Sequence, residues 1–172
     1  MNNSQLIEQI LSTWRIHNRI NLLLIDAIPN DAFSAIPSNS RGRDVARQIA
    51  HTNRVRLGWL HYHETGKRPK TPSIAKDKPP TKAQLSKAMN KSGKAIASFL
   101  AQALRGEKRV RSFSGNPVRW MGYLIAHESH HRGSIMLVLK QNGMRLSEKI
   151  ALQGLWGSWM YGREQSRKEH NK

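Results

Sequence analysis

The segment NPVRWMGYLIAHESHHRGSIMLVLKQNG, residues 116–143, decides the fold class because it predicts one long helix with both ends marked. Asn116 can cap the helix and Pro117 is tolerated at its first position, whereas Asn142 and Gly143 form a stop signal. Apolar and histidine residues recur every three or four positions, namely Trp120, Leu124, His127, His131, Ile135 and Val138. Such a stripe covers one face of a helix, so we expect this face to point into the core of a helical bundle.

Further helices are predicted from the same kind of pattern over residues 4–27, 43–64, 81–104 and 147–161. No stretch shows the alternation of β-branched or aromatic residues that is typical of strands. We therefore expect an all-α fold, a four-helix bundle with an additional short C-terminal helix. Residues 1–162 are expected to form a single domain, followed by a polar tail over residues 163–172. The long connections after the first and second helices allow a topology other than up-down-up-down.

The composition narrows the classes of protein that the chain can represent. It has 172 residues and no cysteine, which excludes a disulfide framework and any thiolate supplied by this chain. No apolar run is long enough for a transmembrane helix, and the N-terminal residues do not resemble a signal peptide. We therefore expect no association with membranes and a cytoplasmic location.

The net charge of +18 indicates attraction to anions. Much of it lies between Lys67 and Arg111, where thirteen basic residues face two acidic ones. Such a stretch can bind nucleic acid non-specifically through release of counterions, or it can be a solvated basic face without a partner. No aromatic residue lies between Gly66 and Ser98, so a platform for stacking single-stranded bases is not indicated there.

The histidines of the fourth predicted helix are candidates for metal ligands. His127 and His131 are one helical turn apart, so both imidazoles can reach one ion. The third candidate is His51, although it lies off the apolar stripe of its own helix. The alternative is that these are core histidines bonded to backbone, carboxylate or water. The remaining histidines of the helical segments are expected at the surface or beside the ligands, namely His17, His61 and His63.

The letters HESHH also fit the zinc-protease motif H-E-x-x-H, with Glu128 as the base. The rest of the chain argues against this interpretation. No third histidine follows at the spacing of the extended motif, and Glu148 lies beyond the predicted helix end. The strands that hold a peptide substrate in such enzymes are not predicted either.

Three segments together resemble the DinB/YfiT-like superfamily. They are GRDVARQIAHTNRVRLGWL (42–60), PVRWMGYLIAHESHHRGSIMLVLKQNG (117–143) and LWGSW (155–159). The most specific part is H-x-x-x-H-R-G, here His127 to Gly133, with one histidine about 75 residues upstream and a tryptophan, Trp59, shortly after it. Ser134 departs from the family, which often has glutamine after Arg-Gly.

The resemblance implies a four-helix bundle, often a homodimer, that holds a divalent metal through three histidines. The matching positions are His51, His127 and His131, with zinc or nickel as the expected ion. Some members are transferases that use a low-molecular-weight thiol, so a thiol-dependent S-transferase acting on a small-molecule substrate is one expectation. A metal-dependent hydrolase is another.

The sequence does not decide the roles of three charged residues near the histidines, and it also allows two other classes of function. Glu128 and Asp44 are candidates for a general base or for orienting a ligand, and Arg132 either guides an anionic substrate or forms a surface or interface salt bridge. Two alternatives do not use the metal for chemistry. One is a basic protein associated with nucleic acid, and the other is a metal-free helical interaction module.

Overall fold

The computed structural model describes residues 2–39, 41–69 and 79–161. Its helices are α1 (Asn3–Ala27), α2 (Val45–Thr65), α3 (Lys82–Leu104), α4 (Pro117–Gln141) and α5 (Gly157–Tyr161). Two short 3₁₀ turns cover Asn30–Ser34 and Phe113–Gly115, and a π-helical segment covers Lys149–Trp156. The described residues contain no strand, which confirms the all-α prediction. The predicted polar tail, residues 163–172, lies outside the described residues.

The helix ends follow from local chemistry. Asn116 accepts hydrogen bonds from the backbone nitrogens of Val118 and Arg119 at 2.9 and 3.0 Å, as expected of an N-cap. Gly66 ends α2 with a φ of 73°, a left-handed conformation that glycine adopts without strain. These two predicted boundaries are confirmed.

The C-terminal helix differs from the prediction. An α-helix was expected over residues 147–161, but Lys149–Trp156 forms a π-helix and only Gly157–Tyr161 is α-helical. At Gly154 the backbone lies close to α1, since a Cβ there would be 2.8 Å from Leu23 Cδ2. A glycine at this position therefore permits the close packing of the segment on α1. None of the helices in the described part of the chain is both long and apolar enough to cross a membrane.

The bundle has an up-down-down-up topology. In cross-section α1 and α2 each pack against α3 and α4, so these two sequential helices lie on a diagonal. His17 contacts Glu128 and Asn21 contacts Arg132, which makes α1 and α4 parallel. Helices α2 and α3 run the opposite way, as four contacts show: His51 with His131, His63 with Trp120, Trp14 with Gly93, and Lys82 with Asp26.

The apolar core is divided into two clusters by a buried polar layer. One cluster contains Leu24, Ile49, Leu85 and Val138 among its members, and the other is centred on aromatic residues, namely Trp14, Phe99 and Trp120. On each of the four long helices, the polar residues come between the residues of the two clusters. This position makes the polar layer the middle of the bundle.

Arg56 and Glu128 form the centre of that layer. The guanidinium Nε and Nη2 of Arg56 donate to the two carboxylate oxygens of Glu128, each at 2.6 Å. Its Nη1 donates to Asn18 Oδ1 at 2.8 Å and to the carbonyl oxygen of Met89 at 3.1 Å. The side chains of the pair are 0% and 1% exposed, so the ion pair is shielded from water. Arg56 thereby connects α2 to the three other long helices.

His17 completes the layer, and its position corrects the sequence-based expectation. It was predicted at the surface or beside metal ligands, but it is fully buried and its Nε2 lies 2.8 Å from Glu128 Oε2. Its Nδ1 faces Arg132 Nη1 at 3.4 Å. Since Nε2–H donates to the carboxylate and Nδ1 accepts from the guanidinium, these partners suit the neutral imidazole. Burial likewise lowers the pKa of His17.

Replacing Glu128 by glutamine is expected to destabilise the bundle by about 3–5 kcal/mol, because Arg56 then keeps a buried charge without its counterion. The matched control is Glu148→Gln, an exposed position that should change the free energy of unfolding by less than about 0.5 kcal/mol. Urea unfolding at pH 7 measures both variants. Equal stability of the two variants would contradict a structural role for the ion pair.

The acid dependence of stability provides a second readout of the same substitution. Burial alone would raise the pKa of Glu128, but the charge of Arg56 and the hydrogen bonds from Arg56 and His17 outweigh it and lower the pKa from 4.5 to about 2. The folded state therefore gains stability that is present above pH 4.5 and is lost as the pH falls toward 2. Between pH 4.5 and 2, the free energy of unfolding should therefore fall less in Glu128→Gln than in the wild type. Urea unfolding at several pH values in this interval measures the difference.

Candidate metal centre

Three histidines from two helices come together beside the polar layer. His51 projects from α2, and His127 and His131 project from successive turns of α4. One nitrogen of each ring lies within 4.8 Å of those of the other two, and the ring centroids are 4.7 to 5.4 Å apart. Because a zinc–nitrogen bond is about 2.0–2.1 Å long, a small rotation of the rings brings all three nitrogens to one ion.

The cluster lies at the edge of the core and not in its middle. The sequence predicted that His127 and His131 belong to the central stripe of α4. In the structure Glu128 occupies that central position between Leu124 and Ile135, and the two histidines flank it with partial exposure. The prediction was wrong because periodicity alone treats Glu128 as a surface residue, whereas Arg56 neutralises its charge inside the bundle. The result is a site open to solvent on one side.

The imidazoles are neutral at pH 7 and have lone pairs available for a metal ion. Burial, together with the positive charge of Arg43, lowers the pKa of His51 to about 4. Burial and the neighbouring histidines lower the pKa of His131, also to about 4. The pKa of His127 is lowered by burial as well. A metal ion therefore does not have to displace protons from charged imidazolium groups at neutral pH.

Two ring nitrogens of the cluster lack a partner. The Nδ1 atoms of His127 and His131 are buried, and neither makes a hydrogen bond with any residue that the structure describes. Leaving such a group unsatisfied costs about 1–3 kcal/mol. Three neutral imidazoles around one point, two of them with an unpartnered buried nitrogen, fit a divalent metal ion of the kind that prefers nitrogen ligands.

The surroundings of the cluster are positively charged. Arg54 Nη2 lies 3.4 Å from His51 Nδ1, and Arg43 is close enough to affect both His51 and His131 electrostatically. Neither arginine was predicted as part of the site, although Arg54 lies nearly one turn after His51, on the same side of α2. Their charge favours an anion as an additional ligand at the site.

Neither carboxylate that was considered as a base is in the cluster. Glu128 faces the opposite way, toward Arg56, His17 and Asn21. Asp44 is the N-cap of α2, where it accepts from the backbone nitrogen of Arg47 at 2.7 Å and pairs with the Arg47 guanidinium. The zinc-protease interpretation required Glu128 beside the ion and is therefore wrong.

Arg132 also differs from its predicted roles. Both a surface or interface salt bridge and the guidance of an anionic substrate require a solvent-facing guanidinium. Instead its guanidinium donates to Asn21 Oδ1 at 2.9 Å and to Ser129 Oγ at 2.7 Å, at the border of the buried layer. It stabilises the packing of α4 on α1.

The other histidines do not join the cluster. His63 was predicted at the surface or beside the ligands, but it is buried and meets the Trp120 ring edge-on at 4.6 Å. His61 and His130 are exposed. The His130 ring meets the His131 ring edge-on, with the centroids 5.4 Å apart, but His130 does not belong to the group of three histidines whose ring nitrogens converge. It can therefore serve as a control for the cluster.

One aromatic residue beside the cluster was missed. Tyr123 stacks on His127, with the ring centroids 5.9 Å apart and the planes inclined by 22°. The sequence could have predicted this contact, because Tyr123 precedes His127 by one helical turn and lies on the same face of α4.

The basic stretch from Lys67 to Arg111 has several structural contacts. Lys82 Nζ donates to the carbonyl oxygens of Asp26 and Ile28 at the end of α1, at 2.5 and 3.0 Å. Arg111 Nε donates to the carbonyl oxygen of His63 at 2.9 Å. These charges are therefore part of the packing of the bundle. Residues 70–78 of the stretch lie outside the described residues.

Comparison with known proteins agrees with the helical fold. No curated protein matches the chain. The DinB family model, by contrast, matches residues 1–161, a range that includes all the described helices and the three clustered histidines. The chain therefore belongs to the DinB family.

Proposed function

We propose that this protein binds one divalent metal ion through His51, His127 and His131. The proposal rests mainly on the convergence of three neutral imidazoles from two helices. Two of them, His127 and His131, have a buried Nδ1 atom without a hydrogen-bond partner among the described residues. Members of the DinB family generally bind metals, which supports the same conclusion. Imidazole ligands suit zinc and nickel, and we take these two ions as the candidates.

We further propose that the protein is a thiol-dependent S-transferase. A divalent ion held by three histidines keeps an open coordination position, where it lowers the pKa of a bound thiol or water. The ion has to lower the pKa of a thiol, about 8.5, much less than that of water, about 15.7, to give a nucleophile at neutral pH. No carboxylate belongs to the histidine cluster among the described residues, so none assists the deprotonation of water there. Both points favour thiol transfer over hydrolysis.

The residues around the cluster fit a thiolate ligand. Arg43 and Arg54 supply positive charge at the open side and thereby favour an anion over a neutral molecule. The chain has no cysteine, so the thiol has to come from a small molecule. The roles of the chain are then to hold the ion with three imidazoles and to attract the thiolate and its reaction partner.

Metal content tests the first part of the proposal. Tag-free wild type reconstituted with zinc should hold about one ion per chain, and His51→Ala, His127→Ala and His131→Ala should each lose most of it because three ligands hold the ion. The matched control is His130→Ala, which removes an exposed imidazole from the same helix. Plasma mass spectrometry after dialysis gives the stoichiometry. Equal zinc in all five proteins would exclude this site.

Cobalt substitution tests the second proposal, that the metal ion binds a thiol for transfer. Adding 2-mercaptoethanol to the cobalt-loaded wild type should produce a sulfur-to-cobalt charge-transfer absorption, since a thiolate binds at the open position. Adding the same concentration of 2-propanol, which has no sulfur, is the control and should leave the spectrum unchanged. Retention of the cobalt spectrum without any new band would contradict the thiol-dependent reaction while leaving the metal site in place.

A further inference from the structure

An open cleft lies next to the histidine cluster. It has a volume of about 460 Å³ and is lined by apolar and aromatic side chains with two polar groups at its rim. The residues that matter for its chemistry are Val55, Trp59, Tyr62, Tyr123, Arg68 and Ser112. Clefts of this size and character are typical of binding sites for small organic molecules.

The cleft continues directly from the histidines. Val55 follows His51 by one turn of α2, and Tyr123 precedes His127 by one turn of α4. Because α2 and α4 are antiparallel, these two steps lead in the same direction away from the cluster. The stacking of Tyr123 on His127 shows that the two regions share a wall. A molecule in the cleft can therefore present one end to the histidines.

The shape of the wall favours a planar, largely apolar molecule. The Trp59 ring meets the rings of Tyr62 and Tyr123 edge-on, at centroid distances of 6.0 and 5.9 Å and angles of 79° and 80°. Aromatic surface is therefore presented in more than one direction. Aromatic rings pack favourably against such surfaces in stacked or edge-to-face arrangements.

The rim of the cleft favours a negative charge. The Arg68 guanidinium lines the cleft and makes no hydrogen bond or ion pair with any residue in the described ranges. Guanidinium groups bind carboxylates through two parallel hydrogen bonds. The Ser112 hydroxyl lines the same cleft and can donate an additional hydrogen bond.

We propose that this cleft binds the second substrate of the transferase and that this substrate is an aromatic carboxylate. Its ring packs against Trp59 and Tyr123, and its carboxylate pairs with Arg68. Val55 and Gly58 also line the cleft, whose volume of about 460 Å³ limits the size of the ring system. The identification of this molecule as a substrate rests on the proposed function, whereas its binding does not.

Calorimetric titration with 2-naphthoate tests the proposal. The wild type should bind this probe, and 2-naphthamide, which has the same rings without the charge, should bind about tenfold more weakly because one charge-assisted interaction is lost. Arg68→Gln should remove this preference for the carboxylate. Both compounds are titrated into zinc-loaded and zinc-free protein.

Filling the cleft provides the decisive variant. Among the residues that the structure describes, a Cβ at Gly58 would meet only Pro69 Cγ, at 3.7 Å, so Gly58→Leu extends into the cleft without displacing the core. The matched control is Gly122→Leu on α4, where a Cβ has no neighbour within 4 Å. Naphthoate affinity should fall at least about tenfold in Gly58→Leu and stay unchanged in Gly122→Leu. Circular dichroism and zinc content check that both variants keep the fold and the metal site.

The outcomes separate this proposal from the function on which it rests. Failure of the zinc-binding wild type to bind naphthoate, or equal affinity of both leucine variants, would overturn the assignment of the cleft and leave the metal site intact. Naphthoate binding that Gly58→Leu abolishes, in a chain that takes up no zinc, would support the cleft and contradict the metal site.

Discussion

The arrangement of the four long helices depends on the ion pair between Arg56 and Glu128. One guanidinium bonds to the carboxylate on α4, to Asn18 on α1 and to the backbone of α3, all in the middle of the bundle. Sliding α2 along α4 by one turn would separate the two buried charges, which costs several kcal/mol. We infer that the pair contributes mainly to the specificity of the helix register, because a buried ion pair adds little net stability over an apolar substitute.

The histidine cluster is a consequence of that register. His51 precedes Arg56 on α2, and His127 and His131 flank Glu128 on α4, so the ion pair places the three rings side by side. The same arrangement turns Glu128 away from the cluster. The protein therefore separates a buried carboxylate, which stabilises the fold, from partly exposed imidazoles, which can hold an ion. The aromatic cleft begins one turn further along both helices.

Much of the fold could be predicted from the sequence because it is encoded locally. Asn116, Pro117 and Gly66 mark helix ends through their own backbone preferences, and the apolar residues of α3 show a clear period. The three clustered histidines were also identified, two from their spacing and His51 as a weaker candidate that the resemblance to a family supported. The family match confirms that resemblance, whereas binding of a metal remains a proposal.

The predictions that were wrong concern residues whose contact partners are distant in sequence. Arg56 and Glu128 look like surface residues on their own helices, and only their pairing across 72 positions explains their burial. His17 was misplaced for the same reason, since its partner on α4 is 111 positions away. The π-helical segment likewise packs on α1, where Gly154 lies close to Leu23, more than 100 positions away. Periodicity describes one helix at a time and contains no information about such pairs.

The X-ray absorption spectrum at the zinc edge of the reconstituted, tag-free protein tests the three-histidine site most directly. We expect three imidazole nitrogens at about 2.0–2.1 Å in the wild type, completed by one or more light atoms from solvent. Addition of a small thiol should replace one of these light atoms by sulfur at about 2.3 Å. A coordination shell dominated by carboxylate oxygens, or one with fewer than three imidazoles, would contradict the assignment of His51, His127 and His131 as the ligands.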